Sequence, residues 1–274
     1  MLIMAKFEMR SNSNQKGAAL LIIITILALM ISSVLLFGLD KNSLNIARDK
    51  KTSKALAKAK EALINYALLS DRLLGSPGIG YLPCPDRTGD GLSNEPCGLG
   101  GESAEGWLPW QTLGEKPLYD KNKSCLRYVV SGNYKINPPS VLSKLPPTQG
   151  HFVIHDANNT VTVGALPTSY ALAVVFAPHK PVAGQTRSMG GGAKTTCGST
   201  TVGAQINTAS NLLDTLNNVN NAAGTYAGPG VPGNNALPTS TASVFMQANA
   251  QNNFNDALIW ISPQDFANVY ARMP

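Results

Sequence analysis

The sequence predicts an α+β protein in which one long N-terminal helix, apolar enough in its first half to cross a membrane, packs against a β-rich globular head. Three observations carry that prediction. Residues 18–39 hold no charged side chain over 22 consecutive positions, and a membrane-spanning helix needs about 20. Between Leu39 and Gly75 there is neither Pro nor Gly, and Ala, Leu, Lys and Glu dominate; all four are good helix formers. Beyond Gly75, short β-branched or aromatic runs alternate with Gly, Pro and Asn, the pattern of strands separated by turns. At 274 residues the chain has room for the helix plus one domain of ordinary size, or two small ones.

Residues 1–17 form a polar leader carrying Lys6, Arg10 and Lys16 against Glu8. The apolar run follows from Ala18 to Leu39, too long for a cleaved secretory signal, whose core is about 7–15 residues. The second half of the helix, 40–74, is basic, with a net charge of +4 over residues 40–72. Leu56, Ala59, Leu63, Tyr66 and Ala67 fall on one helical face, with Lys54, Lys58 and Glu61 around the other. Gly75, Pro77 and Gly78 end it. Basic residues flank the apolar run on both sides, so charge alone does not orient it. Residues 73–274 hold eleven basic and eleven acidic side chains. The pI near 9.1 therefore belongs to the N-terminal segments, and the head lacks the basic bias of a nucleic-acid-binding domain.

Four cysteines, Cys84, Cys97, Cys125 and Cys197, fit two disulfides in an oxidising compartment. Three pairings are open; Cys84–Cys97 with Cys125–Cys197 is preferred because the first pair brackets a single turn-rich loop. That loop offers oxygens at calcium-loop spacing: Asp86, Thr88, Asp90, the Leu92 carbonyl and Asn94, with Gly91 sixth. The twelfth position is Cys97 instead of Glu, with Glu95 nearby. The competing reading is a disulfide-closed loop whose Asp-Gly makes a turn.

In the head, strands are expected at Leu126–Ser131, His151–His155, Asn159–Val163, Tyr170–Ala177 and Ala257–Ile261, with a hairpin turn at Asn158–Asn159. From about 178 to 243 the chain is rich in Gly, Asn and Thr and reads as an elaborated insertion, in which only Ile206–Val219 looks helical. A short helix over Pro263–Arg272 is signalled by Ser262 as N-cap, Pro263 at the first helical position and Asp265 in the first turn. No Gly-x-Ser-x-Gly elbow, P-loop or His-Glu-x-x-His is present. His151, His155, Asp156 and His179 read as hydrogen-bonded or solvated residues in preference to a metal site, and Trp107, Trp110 and Trp260 as core or interface. The chain is read as a non-enzyme.

The leader resembles the class III signal of type IV prepilins and type II secretion pseudopilins: Gln15-Lys16-Gly17-Ala18-Ala19-Leu20-Leu21-Ile22 places a Lys-Gly pair before the apolar run. The resemblance implies cleavage between Gly17 and Ala18 by a prepilin peptidase, methylation of the new N-terminus, and retention of the helix. It departs at Ile22, where most family members have Glu, and the subunits without it include tip pseudopilins and some minor pilins. The order Ala59-Lys60-Glu61-Ala62-Leu63, Leu82-Pro83-Cys84-Pro85-Asp86, Gly89-Asp90-Gly91 and Leu108-Pro109-Trp110-Gln111-Thr112-Leu113-Gly114 is similar to a group of bacterial prepilin-type proteins over about residues 15–135. What the resemblance implies is a pilin-like fold and a non-catalytic minor subunit of a type IV pilus or type II secretion system. Its partners would be other pilin or pseudopilin subunits, the peptidase and the inner membrane. The N-terminus would be cytoplasmic and the head periplasmic, or at the cell surface in a pilus. The alternative is a singly anchored periplasmic or surface binding protein, such as an adhesin, that joins no filament.

Overall fold

The computed structural model describes residues 15–74, 78–185, 213–217, 219–221 and 243–273, with the side chains of the first helix described over 20–31 and 49–72. The chain divides into two compact units, residues 1–49 and 50–274. Helix α1 spans Gln15–Leu74 and so contributes to both.

In the first unit the described side chains of α1 are almost wholly apolar and exposed. Ten large ones lie between Leu20 and Ile31, from 47% exposed at Ile26 to 71% at Leu29. The one hydroxyl among them, Thr25 Oγ1, donates to the Ile22 carbonyl at 2.9 Å and so presents little polarity outward. The expectation of a transmembrane helix over 18–39 is not upheld. Among the described residues no helix is long and apolar enough to cross a membrane. The pilin-like layout built on that span falls with it, and the architecture is a mixed α+β fold.

The second unit is organised by a four-stranded antiparallel sheet in the order β1 (Ala104–Trp107), β2 (Arg127–Val130), β5 (Ala173–Ala177), β9 (Ala257–Ile261). Both faces are covered. Tyr128, Val130, Ala173 and Val175 point to one side, where they share a core with Leu56, Ala59, Leu63, Tyr66 and Ala67 of α1. Ala59, Leu63 and Ala67 are fully buried while Lys54, Lys58 and Glu61 are exposed, the division that a 3.6-residue period imposes. Val129, Val174, Phe176 and Leu258 point to the other side, since alternate strand residues face opposite ways.

There they meet a second sheet in the order β4 (Val161–Val163), β3 (Phe152–His155), β8 (Ser243–Met246). Phe245 is the hinge pin of the two layers, with its ring 5.4 Å from Phe152 and 5.1 Å from Phe176. The β3–β4 connection turns at Asn159, whose φ is +62°, a backbone region that Asn tolerates better than most residues. A 3-10 turn at Pro167–Ser169 leads into β5.

Within residues 178–243, the helix expected at Ile206–Val219 is replaced where described by a hairpin of β6 (Thr215–Leu216) and β7 (Val219–Asn220). Asn217, at φ +50°, starts the two-residue turn, and that left-handed geometry ends any helix. The remainder of the expected helix lies outside the described residues. Near the C-terminus, Ser262 and Asp265 form a reciprocal box: Ser262 N and Oγ donate to Asp265 Oδ2 at 2.8 and 2.6 Å, and Asp265 N donates to Ser262 Oγ. The regular helix, α2, begins only at Ala267 and ends at Tyr270, because residues 263–266 form turns first. Lys60 Nζ pairs with Asp265 Oδ1 at 2.7 Å, tying this end of the chain to the solvent side of α1.

Candidate functional site

The disulfide Cys84–Cys97 closes the loop that carries most of the sequence-predicted site residues. Its organiser is Asp86, which is wholly buried. Asp86 Oδ1 accepts from the backbone of Thr88 at 2.8 Å and of Gly89 at 2.7 Å, and from Thr88 Oγ1 at 3.2 Å. Oδ2 accepts from Gly91 N at 2.6 Å. Burial nonetheless pushes the Asp86 carboxyl above its ordinary range, against the pull of these N–H groups and helped by nearby Asp90.

Each remaining candidate has a local partner. Asp90 Oδ1 accepts from Leu92 N at 2.9 Å, Asn94 Oδ1 from Arg87 N, and Glu95 Oε1 from Ser93 Oγ at 3.3 Å. The first is an Asx turn, in which a short polar side chain replaces a backbone partner; the second crosses the loop and the third joins two side chains. The side-chain oxygens that calcium would need at Asp86 and Asn94 are thus already turned onto N–H groups of the loop. Among the described residues no group of three or more His, Cys, Asp or Glu is placed to hold a metal ion.

The loop locks onto the segment after β1. Asp86 and Trp107 exchange backbone hydrogen bonds at 3.0 and 2.7 Å, and Gln111 and Thr112 both donate to the Gly91 carbonyl. Gly91 sits at φ +89°, and a Cβ there would run into the Trp110 indole. The Pro-Asp/Gly-Asp-Gly and Leu-Pro-Trp-Gln-Thr motifs are therefore two halves of one structural knot. Cys125 is also disulfide-bonded, and Cys197 lies outside the described residues. Gly17 and Ala18 fall within α1, and their environment lies outside the described side chains.

Three buried polar arrangements were not foreseen. On the inter-sheet face of β1 and β2, Arg127 Nε donates to Glu105 Oε1 at 2.6 Å, a second bond comes from the same guanidinium, and the group lies 4.6 Å from the Trp107 ring centre. Both side chains are almost fully buried, and burial pushes the Glu105 carboxyl up despite Arg127. The only sequence signal was alternation, which sets Glu105 and Trp107 on one face of a strand. Lys135, wholly buried, donates to the carbonyls of Cys97 and Leu99; burial draws its ammonium down to about 8, partly offset by Glu102. Asp256 Oδ2 accepts from Asp214 N at 2.7 Å and Asn221 Nδ2 at 2.9 Å, tying both ends of the β6–β7 hairpin to the residue before β9, while Asn221 bonds the Met246 backbone of β8 through Nδ2 and Oδ1.

The histidines separate. His151 is buried between Ser103 Oγ, 2.9 Å from Nδ1, and Asn133 Nδ2, 3.3 Å from Nε2. Asn133 Nδ2 also donates to the Gln149 carbonyl, so it approaches the ring as a donor and Nε2 accepts. Burial and the Lys135 charge hold the imidazole below its ordinary range. His155 meets Asn159 at the exposed end of β3, at 2.7 Å. The His179 backbone donates to Asp120 Oδ2 at 2.7 Å. No two of the three contact each other among the described residues, and each has a hydrogen-bond partner elsewhere. Compared with the family models, the curated proteins and the solved structures, the chain gives no match.

Two outcomes follow from this geometry. Asp86→Ala, which strands three backbone N–H groups in a buried loop, is expected to cost about 2–4 kcal/mol in urea unfolding. A cost below 0.5 kcal/mol would show that the loop does not depend on this carboxylate. For His151, the folded value lies below the unfolded 6.5, so the unfolded chain takes up the proton first as pH falls. Its contribution is fully present above pH 6.5 and is lost as pH drops towards the folded value. Urea midpoints should accordingly fall between pH 7.5 and 5.5, and His151→Gln should flatten that slope.

Proposed function

We propose that this chain is a non-catalytic structural subunit of a filament of the type IV pilus or type II secretion class, assembling through the N-terminal part of α1. The observation that supports it best is the all-round exposure of large apolar side chains from Leu20 to Ile31. A helix apolar on every side is normally one that other surfaces enclose. Covering ten such side chains is worth roughly 1.5–3 kcal/mol each, enough to exceed the about 4–15 kcal/mol cost of bringing chains together. Neighbouring copies or related subunits, each presenting the same stretch, are the natural cover.

Two further features support the reading. The Lys16-Gly17 pair in front of the apolar run resembles a prepilin cleavage site, and Ile22 in place of the family's Glu fits a minor or tip-proximal subunit. The disulfide at Cys84–Cys97 suits a head folded in an oxidising compartment outside the cytoplasm. The buried polar groups of that head are engaged in holding loops to strands, which suits a scaffold.

The test is intact and N-terminal peptide mass spectrometry of the protein from cells with and without the prepilin peptidase. The expected mature chain begins at Ala18 with a methylated amino group, and only when the peptidase is present. A chain that keeps its leader in both strains would overturn the assignment to this class.

A further inference from the structure

A cavity of about 610 Å³ opens on the head between residues 78–81, the 139–145 loop and Met273. Small-ligand sites occupy about 300–1,000 Å³, so the volume is sufficient. Its walls are held in place without a ligand. The Tyr81 hydroxyl donates to the Ser140 carbonyl at 2.6 Å. Ser143 N donates to Thr148 Oγ1 at 2.7 Å, and Thr148 N returns to the Ser143 carbonyl at 2.9 Å. Gly80 sits at φ +103°, with Met273 so close that a Cβ would collide with it.

The lining is apolar apart from its serines, Tyr81 and one charged residue, Lys144. Lys144 Nζ spends one donor on the Met273 carbonyl at 3.2 Å, and an ammonium has three. Among the described residues no carboxylate lies within ion-pair distance of it. On either side of it, Val141 and Leu145 are 93% and 82% exposed, more than any other large apolar side chain among the described residues. Leaving Val and Leu in water beside an open cavity forfeits burial energy that a ligand can recover.

We propose that this cavity is a binding site for a singly charged anionic amphiphile, a carboxylate on an unbranched apolar tail. The carboxylate would take the two remaining donors of Lys144. The tail would lie along Ile79, Leu142 and Met273, capped by Val141 and Leu145. One cation matches one negative charge, whereas a dianionic phosphate would bring a second charge with no partner. None of the lining residues belongs to the stretch from Leu20 to Ile31.

Decanoate below its micellar concentration, titrated calorimetrically into the full-length protein, tests this directly. Saturable binding at one site is expected. Lys144→Met should weaken it about tenfold or more, the loss of a charge-assisted hydrogen bond, and Lys144→Arg should retain most of it. Val141→Ser with Leu145→Ser, at positions too exposed to matter for folding, should weaken it severalfold. Decyltrimethylammonium should not bind there. Absence of saturable decanoate binding, equal binding of the cation, or indifference to Lys144→Met would each overturn the proposal. Indifference is also the result that adsorption to the apolar stretch of α1 would give.

Discussion

The second unit depends on the contact between the Ala-rich stripe of α1 and one face of the four-stranded sheet. A sheet covered on both faces needs two separate partners, and here they differ in kind. On one side the small side chains of Ala59 and Ala67 let the helix backbone come close, while Leu63, fully buried between them in sequence, fills the core with Tyr128 and Val175. On the other side, Phe152, Phe176 and Phe245 supply the volume that joins sheet to sheet. Because the helix seals a face that no strand could seal, residues 50–72 are part of the head's core, and a head lacking them would expose Tyr128, Val130, Ala173 and Val175 to water.

That division gives α1 two unlike halves. From Ala55 to Ala67 its apolar side chains are satisfied within the same unit, with lysines turned outward. From Leu20 to Ile31 the large side chains are apolar and exposed. A single helix therefore combines a segment that completes a fold with a segment whose described side chains are uncovered among the described residues. The head contributes rigidity through buried hydrogen bonds: Asp86 ordering the disulfide loop, Lys135 holding the Cys97 and Leu99 carbonyls, and Asp256 joining the β6–β7 hairpin to the start of β9. Buried polar groups cost free energy unless they are paired, and each of these is paired with backbone groups or short side chains of its neighbours, which fixes geometry.

Much of this could be read from the residues. The stripe of Leu56, Ala59, Leu63, Tyr66 and Ala67 follows from periodicity, β9 from its apolar run between Asp256 and Ser262, and the Ser262–Asp265 box from capping chemistry. The spanning helix was not upheld: among the described residues no helix is long and apolar enough to cross a membrane, and absence of charge over 22 residues is a weaker condition than sustained apolarity. The helix at Ile206–Val219 failed where Asn217 adopts a left-handed backbone, a preference that local propensity averages away. Asp86 illustrates the sharpest ambiguity: Asp, Thr, Asp and Asn at alternating positions with Gly between them serve equally for cation ligands and for loop-ordering hydrogen bonds, and sequence does not encode the direction in which the oxygens point. Glu105 and Arg127 lie 22 residues apart and meet only through the register of β1 on β2, which no short motif encodes.

In the proposed assembly, α1 is protected by its own head over residues 56–70 and by other chains over residues 20–31. Amide hydrogen exchange along α1, in the assembled protein and after its dissociation, measures both at once. The prediction is that 56–70 exchange as slowly as β2 and β5 in either state, while 20–31 are slow in the assembly and fast once it is dissociated. Equal protection of 20–31 in both states, or none in the assembly, would contradict it.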